Sequence, residues 1–306
     1  MGNEKRQSAR QLLFKGSQHA DGLEEDRQKA IESYLARAAS DDAHADPYLN
    51  LGFLYLEQES YEEALKCFSR VRELEPGNTE NYNNMGYIYE KMACLASARL
   101  MYQKALELEP ENVEAIINIA NIRDQEGDYY GALQKYQLAI HCEPNNVDAH
   151  FCLAVFYDRY DMFDEAATHY LKVLACDPRH RDAIFNLGNL YIQMGDHQGA
   201  IKLLLRLLKL EPENIKAWSN LGSLYEESGH IDMALNAWQE GLKYDPVQEE
   251  MNVNLARIEY LLWKSNPNSM CRDHITNRLQ FVLSLYPDNK EAKELLRNLE
   301  RVKPAC

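Results

Sequence analysis

Residues Ala45–Asn78 read ADPYLNLGFLYLEQESYEEALKCFSRVRELEPGN, and this stretch decides the fold because the chain repeats it. Within it, Tyr48, Leu51, Gly52 and Tyr55 fall at helical spacing. Asp46 before Pro47 reads as an N-cap followed by an N1 proline. A polar break at Glu57–Ser60 separates this helix from a second, on which Ala64, Phe68 and Val71 share a face. Pro76-Gly77-Asn78 ends that second helix. The unit is a helix, a turn and a helix.

Outward from this stretch the pattern recurs in register, predicting repeats at 45–78, 79–112, 113–146, 147–180, 181–214 and 215–248. Each closes on a proline: Pro76, Pro110, Pro144, Pro178, Pro212 and Pro246. A small residue marks the first helix (Gly52, Gly86, Ala120, Ala154, Gly188, Gly222), and an alanine marks the second (Ala64, Ala98, Ala132, Ala166, Ala200, Ala234). Small side chains at these two places let the paired helices approach closely. Tyrosine recurs at Tyr55, Tyr89, Tyr157, Tyr191 and Tyr225, with Arg123 as the departure.

The ends are irregular, as terminal repeats of a stack are. Residues 4–44 read as a divergent first repeat, with helices over Glu4–Ala20 and Asp26–Ala38; Ala30 and Tyr34 fall in register with Ala64 and Phe68. Residues 249–287 read as an eighth repeat whose first helix extends through Trp263 and carries Asn252 and Glu259 at normally apolar places. An inserted loop at 265–269 precedes a second helix from Met270 to Leu285. The segment 288–301 reads as an amphipathic capping helix, and 1–306 as a single solenoid.

The period of about 34 residues and the recurring small–small–aromatic–proline signature resemble the tetratricopeptide repeat, over about Glu4–Arg301. The resemblance implies an all-α, right-handed superhelical solenoid of about eight helix-turn-helix repeats. It also implies that the first helix of each pair lines a concave groove that binds a peptide or helix. On that face the chain reads Asn50, Asn84, Asn118, Cys152, Asn186, Asn220 and Asn254, an asparagine ladder with one gap. A similar ladder occurs in the repeats of O-linked GlcNAc transferases. An amide both donates and accepts, so a ladder can grip an extended backbone without reading its sequence. Asparagine as mere family consensus is the competing reading. Leu49, Phe53, Tyr87, Ile117, Phe151, Val155 and Phe185 would form an apolar stripe beside the ladder. Such a stripe either meets an apolar or amphipathic partner or is buried in part between adjacent first helices.

Composition narrows the function. The net charge of −15 disfavours nucleic acid and anionic membranes. There is no run of about 18 apolar residues to insert in a membrane, and Met1–Arg10 lacks the apolar core of a signal peptide. The seven cysteines have no paired spacing, which fits a reducing, cytoplasmic setting. Acidic residues recur near the starts of first helices (Asp46, Glu80, Glu114, Asp148, Asp182, Glu250), interrupted by Lys216. They read first as complements of the helix dipole and second as a site for a basic partner. No glycine-rich phosphate loop occurs, and His141, Cys142, His150, Cys176 and His180 lack the converging spacing of a zinc site. The expectation is a non-catalytic scaffold or adaptor with a protein or peptide ligand and neither metal nor cofactor. A co-chaperone for acidic tails would resemble a lysine clamp, but Leu49, Asn83, Ile117, Phe151 and Phe185 hold those places. A substrate-docking subunit of a separately encoded enzyme, and self-association through a terminal helix of a second copy, stay open.

Overall fold

A computed structural model describes residues 20–40, 42–266 and 272–301. Among the described residues there are sixteen α-helices, and none is long and apolar enough to cross a membrane. The chain forms two compact units, Met1–Pro144 and Asn145–Cys306.

The first unit holds α1 (Ala20–Ser40), α2 (Asp46–Glu57), α3 (Tyr61–Leu74), α4 (Thr79–Lys91), α5 (Leu95–Leu108), α6 (Val113–Gln125) and α7 (Tyr129–Cys142). From α2 onward the helices form hairpins, α2–α3, α4–α5 and α6–α7, each packed on the next. The second unit continues with α8 (Val147–Arg159), α9 (Phe163–Cys176), α10 (Arg181–Gln193), α11 (His197–Leu210), α12 (Ile215–Glu227), α13 (Ile231–Tyr244), α14 (Glu249–Ser265), α15 (Arg272–Leu285) and α16 (Lys290–Arg301).

Local chemistry recurs with the repeat. Asn78, Asn112, Asn146 and Asn214 cap the helices that follow, each side-chain oxygen accepting from the backbone N–H three residues on at 2.8–3.0 Å. At their places in the series His180 Nδ1 and Gln248 Oε1 accept the corresponding N–H. The hairpin turns each close on a left-handed residue: Glu59, Ala93, Gly127, Asp161, Gly195 and Gly229. Half of these are glycine, the residue that adopts that conformation without strain. The expected Asp46 cap is different: Asp46 is the first residue of α2, Ala45 precedes it, and no side chain caps the helix. Pro47 in the first turn needs no N–H partner, so the helix starts without one.

The small-residue positions work as anticipated, with one refinement. A Cβ on Gly52, Gly86 or Gly222 would lie 2.7, 2.4 or 2.1 Å from the ring of Phe68, Tyr102 or Trp238 on the partner helix. Each glycine therefore makes the room that a fully buried ring fills. Opposite Gly188 stands Leu204, and a Cβ there would meet it at an ordinary 3.6 Å.

The ends depart from expectation. The predicted helix Glu4–Ala20 lies outside the described residues but for Ala20, which begins α1. This helix is longer than the predicted Asp26–Ala38 and buries Ile31 and Ala38, with Ala30 and Tyr34 only half-buried. At the other end Ser265 is the last residue of α14, while 267–271, including Met270, lie outside the described residues. The last helix starts at Lys290 because Asn289 caps it, its Oδ1 accepting from Ala292 N at 2.7 Å. Ala292, Leu295 and Leu299 of α16 share a core with Val253, Ala256, Ile275 and Leu279. Asn252 and Glu259, the two polar residues at apolar places, are buried and satisfied by α15. Arg278 reaches both Glu259 oxygens at 3.2 Å and Asn252 Oδ1 at 3.3 Å.

Candidate functional site

The predicted binding residues all lie on first helices, and each unit presents its own set. In the first unit, Phe53 on α2 and Tyr87 on α4 occupy the same repeat position and are 38% and 43% exposed. Phe53 stands edge-on to the buried Phe68 ring at 5.4 Å, so its base is held while its rim faces out. The Lys91 ammonium lies 5.1 Å from the Tyr87 ring centroid, at the distance of a cation–π contact. Leu49 is half-buried and packs on the core around Phe68 and Met85.

Ile117 is a correction to the exposed stripe. It is only 6% exposed, and Asn83, Ser219 and Val253 at the same repeat position are buried too. This position points into the stack at four repeats, so its side chains serve packing there. Leu49, Phe151 and Phe185 at that position are half-buried, as is Val155 one turn on.

In the second unit Phe151 on α8 stacks on His180 at 4.8 Å and touches Tyr170 at 6.0 Å. Phe185 on α10 lines a notch of ≈ 330 Å³ with Asn189, Ser219 and Asn220.

The ladder amides are half-buried throughout, and several make bonds within the chain. Asn50 Nδ2 donates to the Asp46 carbonyl of its own helix at 2.7 Å. Asn220 Nδ2 donates to Asn189 Oδ1 at 2.7 Å, joining adjacent first helices. Asn254 Oδ1 accepts from Arg257, whose guanidinium also pairs with Glu226 at 2.7 Å. Asn84 differs: its Nδ2 is buried without a hydrogen-bond partner. Asn118 and Asn186 sit half-buried on α6 and α10.

Two thiols and one pair of imidazoles have settled surroundings. Burial pushes the Cys67 and Cys152 thiols up to about 11, which suppresses the reactive thiolate. His150 is buried, and its Nδ1 lies 2.8 Å from His169 Nδ1. Burial first, then the neighbouring His150, holds His169 down at about 4. The pairing with His169 escaped sequence reading, since it joins the two helices of one hairpin through residues that carry no motif.

No curated protein sequence matches the chain. Several solved structures resemble it in fold. The structure titled "Functional Characterization of Pseudomonas Aeruginosa pilF" aligns at 18% identity and TM-score 0.57, over 72% of this chain and 97% of that one. A tetratricopeptide repeat protein from Parabacteroides merdae aligns at 16% identity and TM-score 0.52, over 85% and 100%. A monomeric mutant of IFIT1 aligns at 15% identity and TM-score 0.63, over 91% and 68%. Family models described as "Tetratricopeptide repeat" match residues 45–78, 79–112, 135–167, 169–202 and 215–246, and one described as "TPR repeat" matches 188–229. Together these stretches span more than half of the chain, and with the stacked hairpins they make it a member of the tetratricopeptide-repeat family.

Proposed function

We propose that this chain is a non-catalytic interaction scaffold that holds a peptide or amphipathic segment of a partner protein against the faces of its first helices. The observation that carries the reading is the pair Phe53 and Tyr87, two large rings exposed at the same repeat position. Aromatic rings anchored at the base and open at the rim are favoured contact residues. Asn84 stands beside Tyr87's turn with a donor that has no partner within the chain. Asn50, Asn220 and Asn254 contribute less to capture, because they already make internal bonds. A cytoplasmic setting is part of the same reading.

The test is affinity capture with mass spectrometry, comparing the natural chain with Tyr87→Ala and with Phe53→Ala combined with Asn84→Ala. Recovery of bound protein should fall about ten-fold, in line with loss of an aromatic anchor, with the thermal midpoint changed little. Capture of the same proteins at the same strength would remove these residues from the binding face. Sedimentation over a range of concentrations separates capture of a partner from self-association.

A further inference from the structure

Between the N-terminal ends of α4 and α6 lies a notch of ≈ 630 Å³. Its lining carries charge of one sign: Glu75, Glu80, Glu109 and Glu114 face it, and no lysine or arginine among the described residues does. Carboxylates near helix N-termini are ordinary complements of the helix dipole and alone would mean little. Two buried polar atoms at the same notch have no such explanation. Thr79 is 5% exposed and Asn83 is 2% exposed; Thr79 Oγ1 and Asn83 Oδ1 have no hydrogen-bond partner. Both residues line the notch. Buried polar atoms are almost always paired, so each exception asks for a reason.

The orientation of the Asn83 amide is set by its neighbours. Its Nδ2 donates to Asn112 Oδ1 at 3.0 Å and Glu114 Oε2 at 3.2 Å. Turning the amide over would set an oxygen against two acceptors, so the side left over is the acceptor. Two of the carboxylates are also held in place. Asn78 Nδ2 donates to Glu75 Oε2 at 2.8 Å, and Asn112 Nδ2 donates to Glu109 Oε2 at 3.0 Å. The oxygens of the same two asparagines cap α4 and α6, so neither amide is free to turn away.

Carboxylates of one charge and an oriented amide oxygen, spread over several directions, match a cation with several N–H donors. We propose that this notch seats an arginine side chain of a basic peptide segment. Arginine fits better than lysine because its planar fork presents five donors at once to acceptors that lie in several directions. The proposal deepens the scaffold reading, resting on it only for the idea that a partner chain is bound.

The probe is a blocked peptide, Ac-Ala-Ala-Arg-Ala-Ala-amide, titrated into the isotope-labelled full chain while the side-chain amide signals of Asn83 and Asn112 are followed by NMR. Its isostere with citrulline in place of arginine is the control. The arginine peptide should give saturable shifts, and the citrulline peptide should give none. Binding should weaken about ten-fold in Glu80→Gln with Glu114→Gln, as loss of charge-assisted hydrogen bonds requires. Glu80→Lys, a change at an exposed position, should abolish it with the thermal midpoint kept. Absence of shifts, equal shifts with citrulline, or an undiminished affinity in these variants would overturn the proposal. If the titration is null while protein capture still depends on Tyr87, the notch assignment fails and the scaffold reading stands. If the peptide saturates while capture ignores Tyr87, the notch stands and that face does not.

Discussion

Asn83 in the first unit and Ser219 in the second stand at the same repeat position, both buried, and what surrounds them differs. Beside Asn83 the notch is lined by four glutamates, and Thr79 Oγ1 and Asn83 Oδ1 have no hydrogen-bond partner. Beside Ser219 the notch contains Lys216, which occupies the place of Glu80. The Ser219 hydroxyl there donates to Glu250 at 3.1 Å. The repeat backbone makes the same recess twice, and single side chains decide whether it is a site for a cation or already contains one. A similar contrast separates two particular interior groups. The second unit buries Asn252 and Glu259 and answers both with Arg278, where the first unit leaves Asn83 Oδ1 unanswered.

Breaking that answered network should have the largest effect. In Arg278→Met, the Glu259 carboxylate, at 3% side-chain exposure, loses its guanidinium and keeps the more exposed His274 as a neighbour. Stranding a buried charge typically costs about 3–5 kcal/mol. Denaturant unfolding should show this loss, and Glu259→Leu added to Arg278→Met should regain much of it. An unaffected midpoint in the single variant would mean that water reaches Glu259.

The glycines give the next sharpest contrast. In Gly86→Ala the new Cβ would sit 2.4 Å from the Tyr102 ring. That ring is fully buried and its hydroxyl is bonded to the Glu90 carboxylate, so it cannot swing aside. The loss should be about 1–3 kcal/mol, the usual cost of overpacking. Gly188→Ala meets Leu204 at 3.6 Å and should instead be neutral or stabilising by up to about 1 kcal/mol, the helix-propensity gain. Thermal melts of the two variants, identical in chemistry and repeat position, should move in opposite directions.

A smaller difference concerns pH. His150 and His169 pair in the second unit, where the preceding repeat has Ile116 and Lys135 at the same positions. Burial and the facing His150, with Lys172 nearby, depress His169 to about 4 from its ordinary 6.5. The unfolded chain takes up this proton first, so stability falls as pH drops from 6.5 toward 4 and is fully present above that window. Melts across the window should show the loss, and His169→Gln should flatten it. An unchanged slope in that variant would assign the acid sensitivity to carboxylates.

The fold was legible because its signals are local and repeated. Helical spacing in Ala45–Asn78, the closing prolines and the paired small residues reappear at the same interval, and each copy tests the others. Gly52, Gly86 and Gly222 could be recognised as close-approach positions from this pattern. Individual surface residues were less legible. Leu49 and Ile117 share a repeat position and an apolar character, yet one is half-buried and the other buried. Exposure there depends on what the adjoining helix places opposite, and periodicity within one helix does not contain that information. The acidic series was visible too, but its meaning at Glu80 and Glu114 depended on Asn83 and Thr79, which look unremarkable in the chain. A polar residue paired with the acid that begins the following repeat marks the recess, as in Asn83 with Glu114 and Ser219 with Glu250, and Glu80 against Lys216 is the difference that would have told the two apart.

By itself the sequence determined the helical class, the repeat interval and the faces that must pack, because apolar periodicity, caps and turn residues act over one or two helical turns. Only the tertiary structure decided that Arg278 completes Glu259, that His150 meets His169, and that Thr79 Oγ1 and Asn83 Oδ1 are left beside four carboxylates. Each of these is a matter of satisfying hydrogen bonds between helices, and a partner is assigned only once the helices lie side by side.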